Sequence, residues 1–169
     1  MGCFLIRKIG QEIYKARIVE IEAYHGPLDL ASHASRGRTP RNSLMFGEPG
    51  IIYVYLTYGL HYMLNIVTGE KDFPAAVLIR AIEVISKDKI NKPMRSGPAK
   101  LTKAFFINKD FNGLPIYIKK HGLWLEDREK NLKNFKIVKT KRIGVDYAGK
   151  FKDKKWRFYI KGNGFVSKV

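Results

Sequence analysis

Two kinds of charged side chain in this sequence sit where charge is hardest to accommodate. Arg80 lies inside the run Ala75-Ala-Val-Leu-Ile-Arg-Ala-Ile82, apolar on both sides. A guanidinium in so apolar a strand is half-buried and needs an acidic partner, because an unpaired buried charge is very costly. Glu22 and Glu20, in Arg17-Ile-Val-Glu-Ile-Glu-Ala-Tyr24, are the natural partners. A carboxylate paired in this way stays ionised, and can offset a positive charge or take up a proton. A purely structural ion pair explains the same residues equally well, and an isolated strand carboxylate is often simply solvent-facing.

Aromatic side chains form the second anomaly. Tyr53 and Tyr55 share one face of an expected strand, and Tyr58 stands with Gly59 at the adjoining turn. Aromatics favour sheets in any case. A tyrosine at a turn tip, however, buries little of itself and suits stacking on a base or wedging into a duplex. Tyr24 and His33 belong to the other candidate region. Around His33, the stretch Ser32–Asn42 carries Arg36, Arg38 and Arg41 between small polar residues. Such a loop can hold phosphates through side chains and main-chain amides, and a merely solvated loop looks the same. Four histidines without metal-ligand spacing make no metal site, and no cofactor is expected.

The elements that must position these residues read as follows. Residues 3–8 and 13–24 form a hairpin turning at Gly10-Gln11, with Ile18, Glu20, Glu22 and Tyr24 on one face and Val19, Ile21 and Ala23 on the other. A long polar connection, His25 to Asn42, follows, and long ordered loops are often functional. Ile51–Thr57 and His61–Thr68 form a second hairpin, and Ala75–Glu83 a further strand. Gly97-Pro98 opens a helix running to about Ile107. Short strands are expected at 115–118, 123–125, 135–138 and 156–161, with 127–134 a loop or one helical turn. Without repeats or low-complexity blocks, the chain reads as one domain over residues 1–169. Its class is α+β, a curved and mainly antiparallel β-sheet with two or three helices. No glycine-rich nucleotide fingerprint is present.

At 169 residues, 45% hydrophobic and 28% charged, the chain is long enough to bury a genuine core and lies far from the disordered range. Its charge is unusual. Residues 1–85 carry 9 basic and 8 acidic side chains, whereas residues 86–169 carry 23 and 7. So basic a half-chain suits a polyanion, nucleic acid being the commonest, although lysine-rich composition alone also keeps a protein in solution. The single cysteine, Cys3, excludes an intramolecular disulfide and a Cys-based zinc cluster. No apolar run is long enough to span a bilayer and no secretory signal is visible. Met-Gly-Cys at the start lacks the Ser or Thr that myristoylation expects, Ile6 standing there. An intracellular location, in cytoplasm, nucleoid or nucleus, is the expectation, with no membrane partner.

With these residues in place, the sequence resembles the alkyladenine (3-methyladenine) DNA glycosylase family. The likeness runs through Arg17-Ile-Val-Glu-Ile-Glu-Ala-Tyr-His-Gly-Pro27, Ala31-Ser-His33, Thr39-Pro-Arg-Asn42, Met45-Phe46, Pro49-Gly50, Tyr53-Val-Tyr55, Tyr58-Gly59 and Asn65-Ile66. It continues through Val77-Leu-Ile-Arg-Ala-Ile-Glu83, Ser96-Gly-Pro-Ala-Lys-Leu101, Arg142-Ile-Gly-Val145 and Arg157-Phe-Tyr-Ile-Lys-Gly162. Each fragment is modest alone; their order and spacing make the match specific.

The resemblance implies a monofunctional enzyme that flips damaged purines out of double-stranded DNA and excises them hydrolytically. Glu22 is then the general base that activates water, and Arg80 helps hold that water and the carboxylate. Tyr24, His33 and Tyr55 form the pocket around the base, which the His33 main-chain amide hydrogen-bonds, and Tyr53 supports it. Asn65 limits entry of guanine, whose exocyclic amino group clashes there. Tyr58 is the wedge filling the gap in the stack. Lys100 joins Arg36, Arg38 and Arg41 as a candidate phosphate contact. The chemistry asks for these types: extruding a base costs a few kcal/mol, aromatic walls offset the lost stacking, and a carboxylate stabilises the oxocarbenium-like sugar as in glycosidases. Water as nucleophile implies neither a Schiff base nor strand nicking. The expected substrates are 3-methyladenine, 7-methylguanine, hypoxanthine and ethenoadenine, and the expected state is a monomer.

The family usually has a helix before its first strand, and this chain begins almost at that strand, so either the start is internal to the gene or the helix is dispensed with. Ala34 stands where the family often has Ser. A non-catalytic basic binding domain for DNA or RNA is the main rival, and a ribosome-associated structural protein a weaker one. A binding domain keeps the charge and Tyr58 but has no need of Glu22 opposite Arg80.

Overall fold

The computed structural model describes residues 1–85, 96–128 and 135–168. Strands β1 (Phe4–Ile9) and β2 (Glu12–His25) form the expected hairpin, with Phe4 opposite Arg17 and Ile9 opposite Glu12. Gly10 makes the turn at φ +59°, a left-handed conformation that glycine adopts without strain. Strands β3 (Ile52–Thr57) and β4 (His61–Val67) form the second hairpin, and β5 (Ala75–Val84) pairs with both β4 and β2. Strands β6 (Leu123–Glu126), β7 (Ile137–Thr140) and β8 (Arg157–Ile160) complete an eight-stranded antiparallel sheet.

The 14-residue β2 organises everything else. One of its edges takes β5 along residues 16–25, so its other edge is divided between β1, along 12–17, and β8, along 20–22. At that division the β2–β5 register slips twice: Ile18 faces Ile82, Glu20 faces Ala81, and Ile21 faces Ile79. Val19 is the extra residue on β2 and Arg80 the extra residue on β5. Paired bulges of this kind bend a sheet and re-aim its side chains, and here they curl it.

They also overturn the simple alternation expected of β2. Ile18 and Ile21, three apart, both pack in the main core with Ile79 and Ile82, while Val19 packs with Ala81 and Ile160 in a separate cluster. Glu20 and Glu22 therefore share a side of the sheet that Ile18 does not.

The main core fills one face of the sheet, where Ile52, Val54, Leu64 and Ile66 meet Leu101, Ala104 and Phe105 of the helix and the turn after it. That helix, α1 (Pro98–Ala104), has proline in its first turn and stops three residues short of Ile107, with Phe106 already at φ +49°. It is the one α-helix among the described residues; the rest are short 3-10 turns. Residues 115–118 are a turn joined by a single bridge from Pro115 to Ile51, not a strand. Most of 127–134 lies outside the described residues. Because strand side chains alternate, Tyr53, Tyr55, Asn65, Ala76, Leu78 and Arg80 point away from the main core. That second face, covered by the loop between β2 and β3, carries the site.

Candidate active site

Glu22 is completely buried, and three donors converge on it. The Tyr24 hydroxyl, 3.0 Å away, and Arg80 Nη1, at 3.1 Å, donate to Oε2; the main-chain N–H of Ile143 donates to Oε1 at 2.7 Å. Tyr24 and Arg80 reach it from β2 and β5, which the bulged register brings onto one side. Burial, and then the neighbouring Glu22 charge, pushes the Tyr24 phenol well above its ordinary pKa, so it donates a hydrogen bond without surrendering its proton. Glu22 itself does not line the adjoining cavity; its three partners do.

Ile143 arrives from far along the chain, and a second buried ion pair delivers it. Arg142 grips Asp29 through Nη1–Oδ2 at 2.6 Å and Nη2–Oδ1 at 2.8 Å. It also donates to the carbonyls of Ala23 and Phe151 and lies over the rings of Tyr24 and Trp156. Asp29 in turn accepts from the main-chain N–H groups of Ala31 and His25. One ion pair thus ties the start of the loop after β2 to the segment that follows β7.

The aromatic wall is built on β3 and the loop before it. His33 opens a 3-10 turn, His33–Arg36, capped by the Ser32 hydroxyl. Its Nδ1 lies 3.0 Å from the Tyr53 hydroxyl, and its ring meets Tyr55 edge-on at 4.5 Å between centroids. Part of the imidazole remains open to solvent, yet burial of the rest, and then Arg41, hold its pKa below the ordinary value. Burial pushes the Tyr53 and Tyr55 phenols up to about 12. Asn42 secures the loop, donating through Nδ2 to the carbonyls of His33 and Gly37 and accepting from the Thr39 N–H.

Between this wall and Arg80 lies a cavity of about 260 Å³. Asn65, buried on β4, gives its amide hydrogens to the carbonyls of Tyr53 and Met63 and lines the cavity. Tyr58 stands at the rim, 92% exposed and at φ +51°. A non-glycine residue in the left-handed region is uncommon and marks a functional or strained turn. Tyr147, also exposed, lines the same cavity.

A buried, cation-held carboxylate thus lies behind an aromatic cavity, with an exposed tyrosine at the rim. Comparison with known proteins places the chain in a family. Residues 1–164 match the family described as methylpurine-DNA glycosylase (MPG). The chain belongs to that family.

Its relatives cover it almost end to end. A protein of Clostridium perfringens strain 13 is 41% identical over 186 residues, covering 99% of this chain and 90% of the relative. One of Borrelia garinii subsp. bavariensis is 47% identical over 171 residues with the same coverage, and one of Methanocella arvoryzae 44% over 178, covering 99% and 87%. All three carry the name "Putative 3-methyladenine DNA glycosylase". The chain is accordingly a methylpurine-DNA glycosylase, a hydrolase of DNA repair that acts on DNA. No helix among its described residues is long and apolar enough to cross a membrane.

In this glycosylase Glu22, Tyr24, Arg80, His33, Tyr55 and Asn65 come together in one site, and Tyr58 stands at its edge. The arginines of the loop differ among themselves: Arg38 pairs with Asp72 at 3.8 Å, Arg41 donates to the Leu56 carbonyl and lies over Tyr55, and Arg36 is exposed. Lys100 is exposed on α1. Asp29, Asn42, Ile143 and Tyr147 were not singled out by residue type. Asp29 and Asn42 look like ordinary loop residues, and Ile143 acts through its main chain, which no side-chain pattern reports.

Proposed function

We propose that this glycosylase cleaves the N-glycosidic bond of a damaged purine everted from double-stranded DNA, with Glu22 as general base and Arg80 beside it. The observation that carries this reading is the three-donor cradle of Glu22. Arg80 supplies the countercharge, Tyr24 and Ile143 fix the plane, and Oε1, with one protein donor, retains a lone pair that can accept from a water molecule.

The base enters the cavity among Tyr24, His33 and Tyr55, regaining about 1–3 kcal/mol of lost stacking. Tyr53 acts behind them by holding His33. The C1′–N bond breaks with its electron pair leaving on the purine, and positive charge develops on the sugar opposite the carboxylate. Water attacks C1′, Glu22 accepts its proton, and a free base and an abasic site result. A 3-methyladenine, cationic before cleavage, leaves neutral without a proton; 7-methylguanine behaves likewise. Hypoxanthine and ethenoadenine, neutral before cleavage, leave as they take a proton from solvent water at a ring nitrogen, and they too belong to the proposed range. Asn65, which lines the cavity, limits entry of guanine by steric clash with its exocyclic amino group.

Tyr58 fills the space the base vacates. Arg36, Arg38, Arg41 and Lys100 take phosphates. Among the described residues no lysine lines the cavity, which favours water over an amine as nucleophile and excision without strand nicking. The whole 1–169 chain acts as one domain and as a monomer.

The test is base release from methylated DNA and from a duplex with one hypoxanthine, by wild type and Glu22→Gln. Release by wild type, abolished in the variant while damaged-DNA binding persists, is the expected result. Release by Glu22→Gln near the wild-type rate would remove Glu22 from the chemistry.

A further inference from the structure

Glu20 is as deeply buried as Glu22, yet the mechanism above gives it nothing to do. Its Oε1 accepts from Arg157 Nε at 2.7 Å and from the Ser167 hydroxyl at 2.9 Å, and its Oε2 accepts from the Ser167 N–H at 2.6 Å. The same Oε1 lies 3.4 Å from Arg80 Nε. Arg157 closes the circle by donating to the main-chain carbonyl of Lys168. Two carboxylates and two guanidiniums are thus packed side by side, with Arg80 shared between Glu20 at Nε and Glu22 at Nη1.

We infer that Glu20, clamped by the C-terminal segment at Ser167 and Lys168, is a positioning residue that aims Arg80, and through it Glu22, at the reacting sugar. Stability alone is a weak reason for such a cluster, because buried ion pairs are commonly matched by apolar residues of similar volume. Immediately beside it the chain does use apolar packing: Val19 and Ala81, the bulge neighbours, form a cluster with Ile160 against which Phe165 packs. The charges of this cluster stand where Arg80 passes. Arg80 Nε makes no hydrogen bond, so it is the charge of Glu20, 3.4 Å away, that draws this end of the guanidinium and opposes a swing about the bond at Nη1. The C-terminal segment reaches this point because it is anchored twice more, by Phe165 in the bulge cluster and by the Ser96 hydroxyl donating to the Val166 carbonyl. Residues more than a hundred positions from Glu20 in sequence therefore complete its shell.

The inference rests on the glycosylase reading, and the experiment separates the two. Single-turnover base release at saturating enzyme, normalised to active sites, is measured beside duplex affinity and melting temperature for wild type, Glu20→Gln, Ser167→Ala and Arg80→Lys. Misplacing a positioned group costs rate, so Glu20→Gln is expected to slow release by about tenfold or more. Affinity for the damaged duplex should stay within about twofold, the split that marks a loss confined to the transition state. Added to Arg80→Lys, Glu20→Gln should slow release by less than about twofold further, because a residue acting through another is non-additive with it. A Glu20→Gln enzyme releasing base at the wild-type rate, or losses that multiply, overturns the inference. Should Glu20→Gln fail to fold, Ser167→Ala decides: about a twofold to threefold loss that vanishes in the Arg80→Lys background supports it, and no loss overturns it. Absence of release by wild type would instead strike at the proposed function.

Discussion

Asp29 and Arg142 are 113 residues apart in sequence and meet in a fully buried, two-pronged ion pair. Neither touches the cavity, yet the residue following Arg142 supplies the main-chain N–H that holds Glu22 Oε1. The pair is the joint through which the two ends of the chain share one site.

Breaking that joint should cost both stability and activity. Asp29→Asn keeps the shape and leaves Arg142 without its counterion, which typically destabilises by about 3–5 kcal/mol. Urea unfolding should show the midpoint falling at unchanged slope, and base release should fall with it. An unaltered midpoint would mean that the pair contributes nothing net.

Tyr58 should behave in the opposite way. At 92% exposure, Tyr58→Ala should leave the unfolding midpoint within about 0.5 kcal/mol of wild type. Binding to damaged duplex should nevertheless weaken by about 1–3 kcal/mol, the scale of one lost stacking contact. Fluorescence of a base analogue beside the lesion reports eversion directly; equal signals from both proteins would make Tyr58 a surface residue only.

His33 should titrate below the ordinary histidine value of about 6.5, because burial and then Arg41 disfavour the imidazolium. A histidine whose pKa is lowered by folding binds fewer protons than the unfolded chain in the window between the two values. Its contribution to stability is present above the unfolded pKa and is lost as pH falls through the folded one. Arg41→Ala should raise the midpoint part of the way, followed by imidazole NMR shifts. A wild-type midpoint at or above the unfolded value would contradict this account of the wall.

Salt should weaken DNA binding steeply, since each neutralised phosphate releases counterions and adds about 0.9 to the slope of log affinity against log salt. Arg36→Ala should reduce that slope by about one phosphate's share for any DNA sequence. A slope near zero for wild type would place DNA elsewhere than on the basic residues.

Much of the frame was legible in the chain itself. The β-branched and aromatic run Ile51–Thr57 and its partner His61–Thr68, split by Tyr58-Gly59, specified a hairpin with Tyr53 and Tyr55 on one face, and the hairpin is there. The apolar run around Arg80 specified a buried strand and demanded a carboxylate partner, and both candidates are there. Those readings rest on local physics: side-chain period, turn chemistry and the cost of an unpaired charge.

What the sequence could not express is where the period breaks. Read as a regular strand, β2 puts Ile18 beside Glu20 and Glu22; the bulges at Val19 and Arg80 send Ile18 to the main core and keep both carboxylates on the side of Arg80. A bulge is set by which strands pair and how they curl, and β2 must serve β1, β5 and β8 along a single 14-residue length. The helix end at Ala104 and the Asp29–Arg142 and Glu20–Ser167 contacts have the same origin. Residue types and local spacing determined the chemistry available to this protein. Long-range pairing decided which of those groups meet, because a contact between distant segments exists only once the sheet between them has closed.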